Sequence, residues 1–186
     1  LCDVKKIFSL TFVLMLLASL SLPNYVLAAP QAETYTADYL SSASATVRYS
    51  DWLAGSSSTL DIFLSDVVGN ANLLDGMYVG WCIQPGITGL LHGEPAVIYS
   101  SLNEEILPSE LVGLPWDKIN YVLNHKIRGD GKTDLDFFKD VQTAIWLLLG
   151  DDNPEFGVSS EAQQMVDDAN VNAGFVPGNE DFVAFI

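Results

Sequence analysis

The chain has 186 residues, 49% of them hydrophobic, and a formal net charge of −16. An acidic surface repels nucleic-acid phosphates, so we exclude nucleic acid as a partner and interpret the charge as keeping the protein soluble. The spacing of Asp130, Asp134 and Asp136 is not that of an EF-hand, and we predict neither a metal site nor a cofactor.

The first residues predict a secretory signal peptide. Lys5 and Lys6 precede a short apolar run, and small residues surround a possible cleavage site that ends at Ala28. The alternative is a membrane anchor, but the uninterrupted apolar run is shorter than the about 20 residues that a span needs. We therefore predict a signal peptide over 1–28 and a secreted or cell-surface location. The mature domain, 29–186, is predicted to be a single domain without a membrane span.

Alternation of apolar and polar residues predicts strands in the first half of the mature chain. We expect them at 45–49, from 58 onward, at 77–83 and at 96–100. In the third of these, Gly80 and Cys82 share one face. Turn signals separate the strands: the pairs Gly69-Asn70, Asp75-Gly76 and Pro85-Gly86.

Helical spacing replaces this alternation in the second half. We predict helices at 116–126 and 134–149, and a third that begins with a capping-box pattern at Ser160. Thr133 can begin the second helix, and Gly150 is placed to end it. A last strand is expected at 182–186, and its apolar end leads us to expect that the natural chain continues. The fold class is α+β, with an antiparallel sheet or sandwich packed against about three helices.

Cys82 is the one cysteine that remains if the signal peptide, which contains Cys2, is removed. Cysteines of exported proteins usually occur in pairs. A lone cysteine in such a chain is a buried small hydrophobe, a partner in an intermolecular disulfide, or a reactive group. Composition alone leaves these alternatives open.

Gln142 is the unusual residue of the second helix, because its carboxamide lies on or beside the apolar stripe. A buried amide without a partner costs about 1 to 3 kcal/mol. One solution is an ordinary hydrogen bond to a backbone group. Another is reaction with Cys82, in which a thiolate attacks the carboxamide, expels ammonia and leaves an internal thioester.

A thioester needs the nucleophile and the acyl group pressed together and water kept out. Trp81 and Trp146 suit that exclusion, and Gly80 would let another element approach closely. Gln84 is a poor acyl donor, because two residues along a strand separate it from Cys82 by about two rises of 3.3 Å.

A cysteine hydrolase is a further alternative. His125 with Asp134 or Asp136 would complete a catalytic triad, and His92 is a second candidate base. Such enzymes place the cysteine at a helix N-terminus, whereas a proline and a glycine closely follow Cys82. His125 is better interpreted as the polar end of the first helix.

Two short motifs resemble those of bacterial thioester domains, which are surface-adhesin modules with a Cys-Gln thioester. Residues 81–84 read WCIQ and residues 141–146 read VQTAIW. The second motif matches the family pattern of apolar, Gln, two variable residues, apolar and Trp. The first has Trp81 where Tyr, Phe or Leu is commoner. The resemblance covers roughly 76–186 and is weak before residue 58.

The resemblance implies a covalent binding module rather than a turnover enzyme. A lysine amine on a partner surface would attack the thioester carbonyl, release Cys82 and form an isopeptide bond with Gln142. The expected partner is an amine-bearing surface protein or other amine ligand. The domain is expected to be a monomeric module of a larger cell-surface protein.

Overall fold

A computed structural model describes residues 40–51, 59–83, 93–178 and 180–186. All of them belong to one unit, Thr34–Ile186. The signal-peptide prediction for 1–28 lies outside the described residues, as do Gln84, Pro85, Gly86 and His92. None of the helices in the described ranges is long and apolar enough to cross a bilayer.

The described strands form one antiparallel sheet. Its strands are β1 (Ala43–Asp51), β2 (Thr59–Val68), β3 (Gly76–Trp81) and β4 (Glu94–Ile98), in the spatial order β3-β2-β1-β4. The register between β1 and β2 shifts between Ser44 and Thr46, and β2 carries the extra residue. Asp66, whose φ is 56°, lies at this bulge and accepts a hydrogen bond from the Thr46 hydroxyl.

Three α-helices follow the sheet in the described chain: α1 (Trp116–Asn124), α2 (Asp134–Leu148) and α3 (Ser160–Val171), after a short 3-10 helix at Glu104–Ile106. Thr133 caps α2 through a capping box with Asp136. Gly150 follows α2 with a φ of 91°, a left-handed conformation that glycine adopts without strain. The predicted α+β fold, with an antiparallel sheet and three helices, is confirmed.

Three local predictions need correction. The N-cap of α3 is Ser159, one residue before the predicted Ser160, because the Ser159 hydroxyl accepts from the Ala162 N–H. The predicted last strand contributes a single bridge, between Ser100 and Phe185. The strand predicted at 77–83 ends at Trp81, so Cys82 lies just beyond β3 rather than within it.

The apolar core has two parts. The sheet packs a small cluster of five buried residues: Ala43, Ala45, Leu64, Leu73 and Ile98. A larger cluster joins the three helices and includes all four α3 residues that the sequence placed inward: Ala162, Met165, Val166 and Ala169. Trp81 packs against this helical cluster, so the end of β3 meets the helices.

Candidate functional site

Helix α2 buries Gln142 completely. Seven consecutive residues of the helix, from position 140 to position 146, are buried, which is wider than the stripe of a surface helix. Gln142 has no exposed surface, and Trp146, one turn later, is 1% exposed. Because water cannot reach the Gln142 carboxamide, its hydrogen-bond partner must come from within the protein, as the sequence predicted.

The partner of the Gln142 carboxamide is the backbone of Cys82. The Cys82 N–H donates to Gln142 Oε1 at 2.8 Å, and Gln142 Nε2 donates to the Cys82 carbonyl oxygen at 2.7 Å. The two residues are 60 apart in the chain. Because β3 ends at Trp81, the Cys82 backbone groups lie beyond the sheet ladder and can pair with a side chain instead. The structure thus brings the two residues together.

These two hydrogen bonds fix how the carboxamide faces the cysteine. Both use backbone groups of one residue, and hydrogen bonds to a carbonyl favour directions near its plane, so the carboxamide lies edge-on to the N, Cα and C atoms of Cys82. The tetrahedral Cα puts Cβ outside that backbone plane. A nucleophile attacks an sp² carbon from a face of its plane, so thioester formation would require Sγ to reach one face of the carboxamide.

Trp81, the last residue of β3, precedes Cys82 in the chain and packs near α2. Its ring centroid is 6.2 Å from that of Phe138, which lies one turn before Gln142 on α2. Lys126 Nζ is 5.7 Å from the Trp81 ring and 5.0 Å from the Phe182 ring. Burial lowers the pKa of the Lys126 amine, because removal from water disfavours its charged form.

Trp146 follows Gln142 by one turn on α2. Its ring stacks on the Phe156 ring, with centroids 5.6 Å apart and planes 25° apart. Lys139 Nζ lies 5.1 Å from the centroid of the same Phe156 ring. Among the described residues, the indole N–H groups of Trp81 and Trp146 are buried without a hydrogen-bond partner. Both tryptophans predicted to shield the pair therefore lie beside apolar rings, Trp146 buried and Trp81 partly buried.

Gly80 lies on β3 opposite Leu60, two residues before Cys82. The sequence suggested that its missing side chain is the gap through which α2 approaches. The polar contacts with α2 pass through the Cys82 backbone, one step beyond the strand. The close approach of α2 at Gly80 itself stays a prediction.

The residues proposed for a hydrolase triad make other contacts. A ring nitrogen of His125 is 3.0 Å from the Tyr121 carbonyl oxygen, and the two rings stack 4.1 Å apart at the end of α1. Asp134 pairs with Arg128 at 2.7 Å, and Asp136 serves the α2 capping box. Neither carboxylate is described in contact with His125.

No group of three or more potential metal ligands occurs within the described ranges. Lys132, which precedes α2, connects the middle of that helix to α3, since it pairs with Asp140 and, at 2.8 Å, with Glu161. The hydrogen bond from Lys132, followed by those from the Glu161 backbone and Ser160, lowers the pKa of Glu161 from 4.5 to about 2. This cluster holds α2 against α3 close to Gln142.

Sequence reasoning missed three features of the site. It offered a backbone hydrogen bond as one solution for Gln142, which the structure shows, but it did not identify the Cys82 backbone as the partner, because that depends on where β3 ends. It also missed Lys126 and Phe156, which come from separate segments and carry no motif. Phe138 could have been found, because it precedes Gln142 by one helical turn. No family profile, curated protein sequence or solved structure matches this chain.

Proposed function

We propose that this domain forms an internal thioester between Cys82 Sγ and Gln142 Cδ, and uses it to attach covalently to an amine on a target surface. The observation that carries the proposal is the pair of hydrogen bonds, at 2.8 and 2.7 Å, between the Gln142 carboxamide and the Cys82 backbone. They join the acyl group to the backbone of the residue that bears the nucleophile, and proximity of the two groups is the first requirement of the reaction.

Thioester formation follows from the positions of these atoms. Sγ attacks Cδ, and the C=O electron pair moves to Oε1, where the Cys82 N–H already donates and can stabilise the developing charge. The Cδ–Nε2 bond then breaks, and ammonia leaves with the proton of the thiol. The products are a thioester and one ammonia, and no oxidant or cofactor is consumed.

In the attachment step, Cys82 changes from nucleophile to leaving group, and Gln142 remains the acyl group. The amine nitrogen of a lysine on the target attacks Cδ, and the Cδ–Sγ bond breaks. Cys82 leaves as a thiol, taking up the proton that the amine loses, and Gln142 is left joined to the target by an isopeptide bond. The reaction occurs once per molecule, which suits a cell-surface adhesion module better than a turnover enzyme.

Intact mass spectrometry of the purified domain tests the proposal. We expect a mass deficit of one ammonia, which disappears in the Cys82→Ser and Gln142→Ala variants. Methylamine should add to the wild-type domain, and peptide mapping should locate the adduct at Gln142. Gln164, an exposed glutamine of α3, is the internal control and should remain unmodified. A full calculated mass together with a Cys82 that reacts with an alkylating reagent contradicts the proposal.

The same two hydrogen bonds also support a second candidate, a structural extracellular domain with an inert Cys82. In that role, the Gln142 carboxamide anchors the chain after β3 to α2 and satisfies two backbone groups, which is a sufficient reason for a buried glutamine. This candidate predicts a full mass and no methylamine adduct, so the same experiment separates the two functions.

A further inference from the structure

The two indole N–H groups beside the Cys82–Gln142 pair differ from those of an ordinary buried tryptophan. Both are buried without a partner within the described part of the chain. Trp116, which is 4% exposed, shows the usual arrangement, because its Nε1 donates to the Leu111 carbonyl oxygen at 2.9 Å. Buried donors are nearly always paired, so each exception calls for an explanation such as a role in catalysis.

Trp146 is the better placed of the two donors. It follows Gln142 by four residues on α2, and side chains with this spacing are neighbours on one helix face. Long helical side chains lean toward the N-terminus, which brings the indole of Trp146 over the turn that holds Gln142. Stacking on Phe156 holds the ring in place. Trp81, by contrast, is only partly buried and packs between Phe138 and Lys126.

Resting on the proposed thioester, we propose that the Trp146 indole N–H is a catalytic hydrogen-bond donor to Gln142 Oε1 in the tetrahedral intermediates and in the thioester. In the amide form, the carboxamide is held by two bonds to Cys82. Departure of ammonia removes Nε2 and its bond, and Cδ must move toward Sγ. Oε1 is then the one polar atom of the acyl group. It becomes the hydrogen-bond acceptor for the Trp146 indole N–H, which has no acceptor in the amide form.

This assignment gives the intermediate two donors, the Cys82 N–H and the Trp146 indole N–H. Preorganised donors in a site without water stabilise a developing oxyanion strongly. In the thioester, the same bond polarises the carbonyl and makes it more reactive toward an amine. Trp81 keeps the role of excluding water.

The experiment replaces the Trp146 side chain with benzothienylalanine, in which sulfur substitutes for the indole N–H within a ring of nearly the same shape. We expect methylamine uptake to slow by about 10²-fold, the loss typical of removing one such donor. The infrared stretching band of the thioester carbonyl should shift to higher frequency, because a hydrogen bond to the oxygen lowers it. Trp146→Phe should produce the same band shift and can be expressed directly.

A Cys82→Ala background isolates the amide form. In that background the Trp146 N–H makes no hydrogen bond that the analogue could remove, so the analogue should leave the melting temperature unchanged or raise it. The matched control is the same analogue at Trp116, which loses its bond to the Leu111 carbonyl. In the Cys82→Ala background that control should melt at a lower temperature, and in the wild-type background its thioester should retain the wild-type methylamine rate and carbonyl band.

The proposal is overturned if the Trp146 analogue keeps the wild-type methylamine rate and carbonyl band. It is equally overturned if the band shifts with the analogue at Trp81 and not at Trp146. Failure of the proposed function looks different, since wild-type protein would then have its full mass and no thioester carbonyl band at all.

Discussion

Replacing Gln142 with leucine tests the contact on which the site depends, independently of any thioester. We place Gln142→Leu in a Cys82→Ala chain, where no thioester can form but the backbone at position 82 is unchanged. The variant leaves two backbone groups without their partners, the N–H and the C=O of residue 82. Each unsatisfied buried group costs about 1 to 3 kcal/mol.

The partial exposure of position 82 reduces this cost, because water can reach part of the freed backbone. We therefore expect the free energy of unfolding to fall by about 2 to 3 kcal/mol, the lower part of the range for two groups. For a domain of this size, each kcal/mol lowers the melting temperature by about 2 to 4 °C. The expected decrease is thus roughly 4 to 12 °C.

Urea denaturation followed by tryptophan fluorescence, together with calorimetry, measures this loss. Gln164→Leu in the same background is the matched control. Gln164 is an exposed glutamine of α3, and the substitution should change stability by less than about 0.5 kcal/mol. Equal stabilities for the two leucine variants would show that Gln142 does not hold the Cys82 backbone, and would remove the geometric basis of the proposed function.

Three further predictions concern the helices that carry the site. Thr133→Ala removes the capping box of α2 and should lower the free energy of unfolding by about 1 kcal/mol in urea denaturation; an unchanged midpoint contradicts it. Gly150→Ala should lower the free energy of unfolding by about 1 to 2 kcal/mol in the same assay, because a φ of 91° is strained for alanine. An added Cβ meets no atom within 4 Å, so a neutral effect would reject the strain argument. The lowered pKa of Glu161 stabilises the fold above pH 4.5, its unperturbed value, and this contribution is lost as the pH falls toward about 2. In pH-dependent calorimetry, Glu161→Gln should therefore lose less stability than the wild type over that interval, and parallel curves would contradict the assignment.

The helical half of the fold was predictable from the sequence because its signals are local. Thr133 and Gly150 mark the ends of α2, and both act within one turn of the helix. The inward face of α3 follows from spacing alone, since residues three and four apart share a side. The N-cap of α3 was misplaced by one residue because two adjacent serines, 159 and 160, carry the same chemistry, and neighbouring contacts select between them. The Ser159 hydroxyl also donates to Asp140 of α2.

The sequence also identified Cys82 and Gln142 as candidates, one as the lone cysteine of the predicted mature chain and the other as a polar residue on an apolar stripe. Neither feature predicts the distance between Cys82 and Gln142. Whether a strand end and a helix meet depends on contacts between segments 60 residues apart, which sequence periodicity does not encode.

The tertiary structure decided how the two residues meet. Because β3 ends at Trp81, the Cys82 backbone leaves the ladder and turns its N–H and C=O to the carboxamide of Gln142. It also packs Phe138 and Lys126 against Trp81, and Phe156 against Trp146, which no motif connects. The sequence by itself determined which atoms have the required chemistry, since residue type and local spacing are written in the chain. Only the packing of the helices against the end of the sheet decided that the Gln142 carboxamide lies within hydrogen-bond distance of the Cys82 backbone.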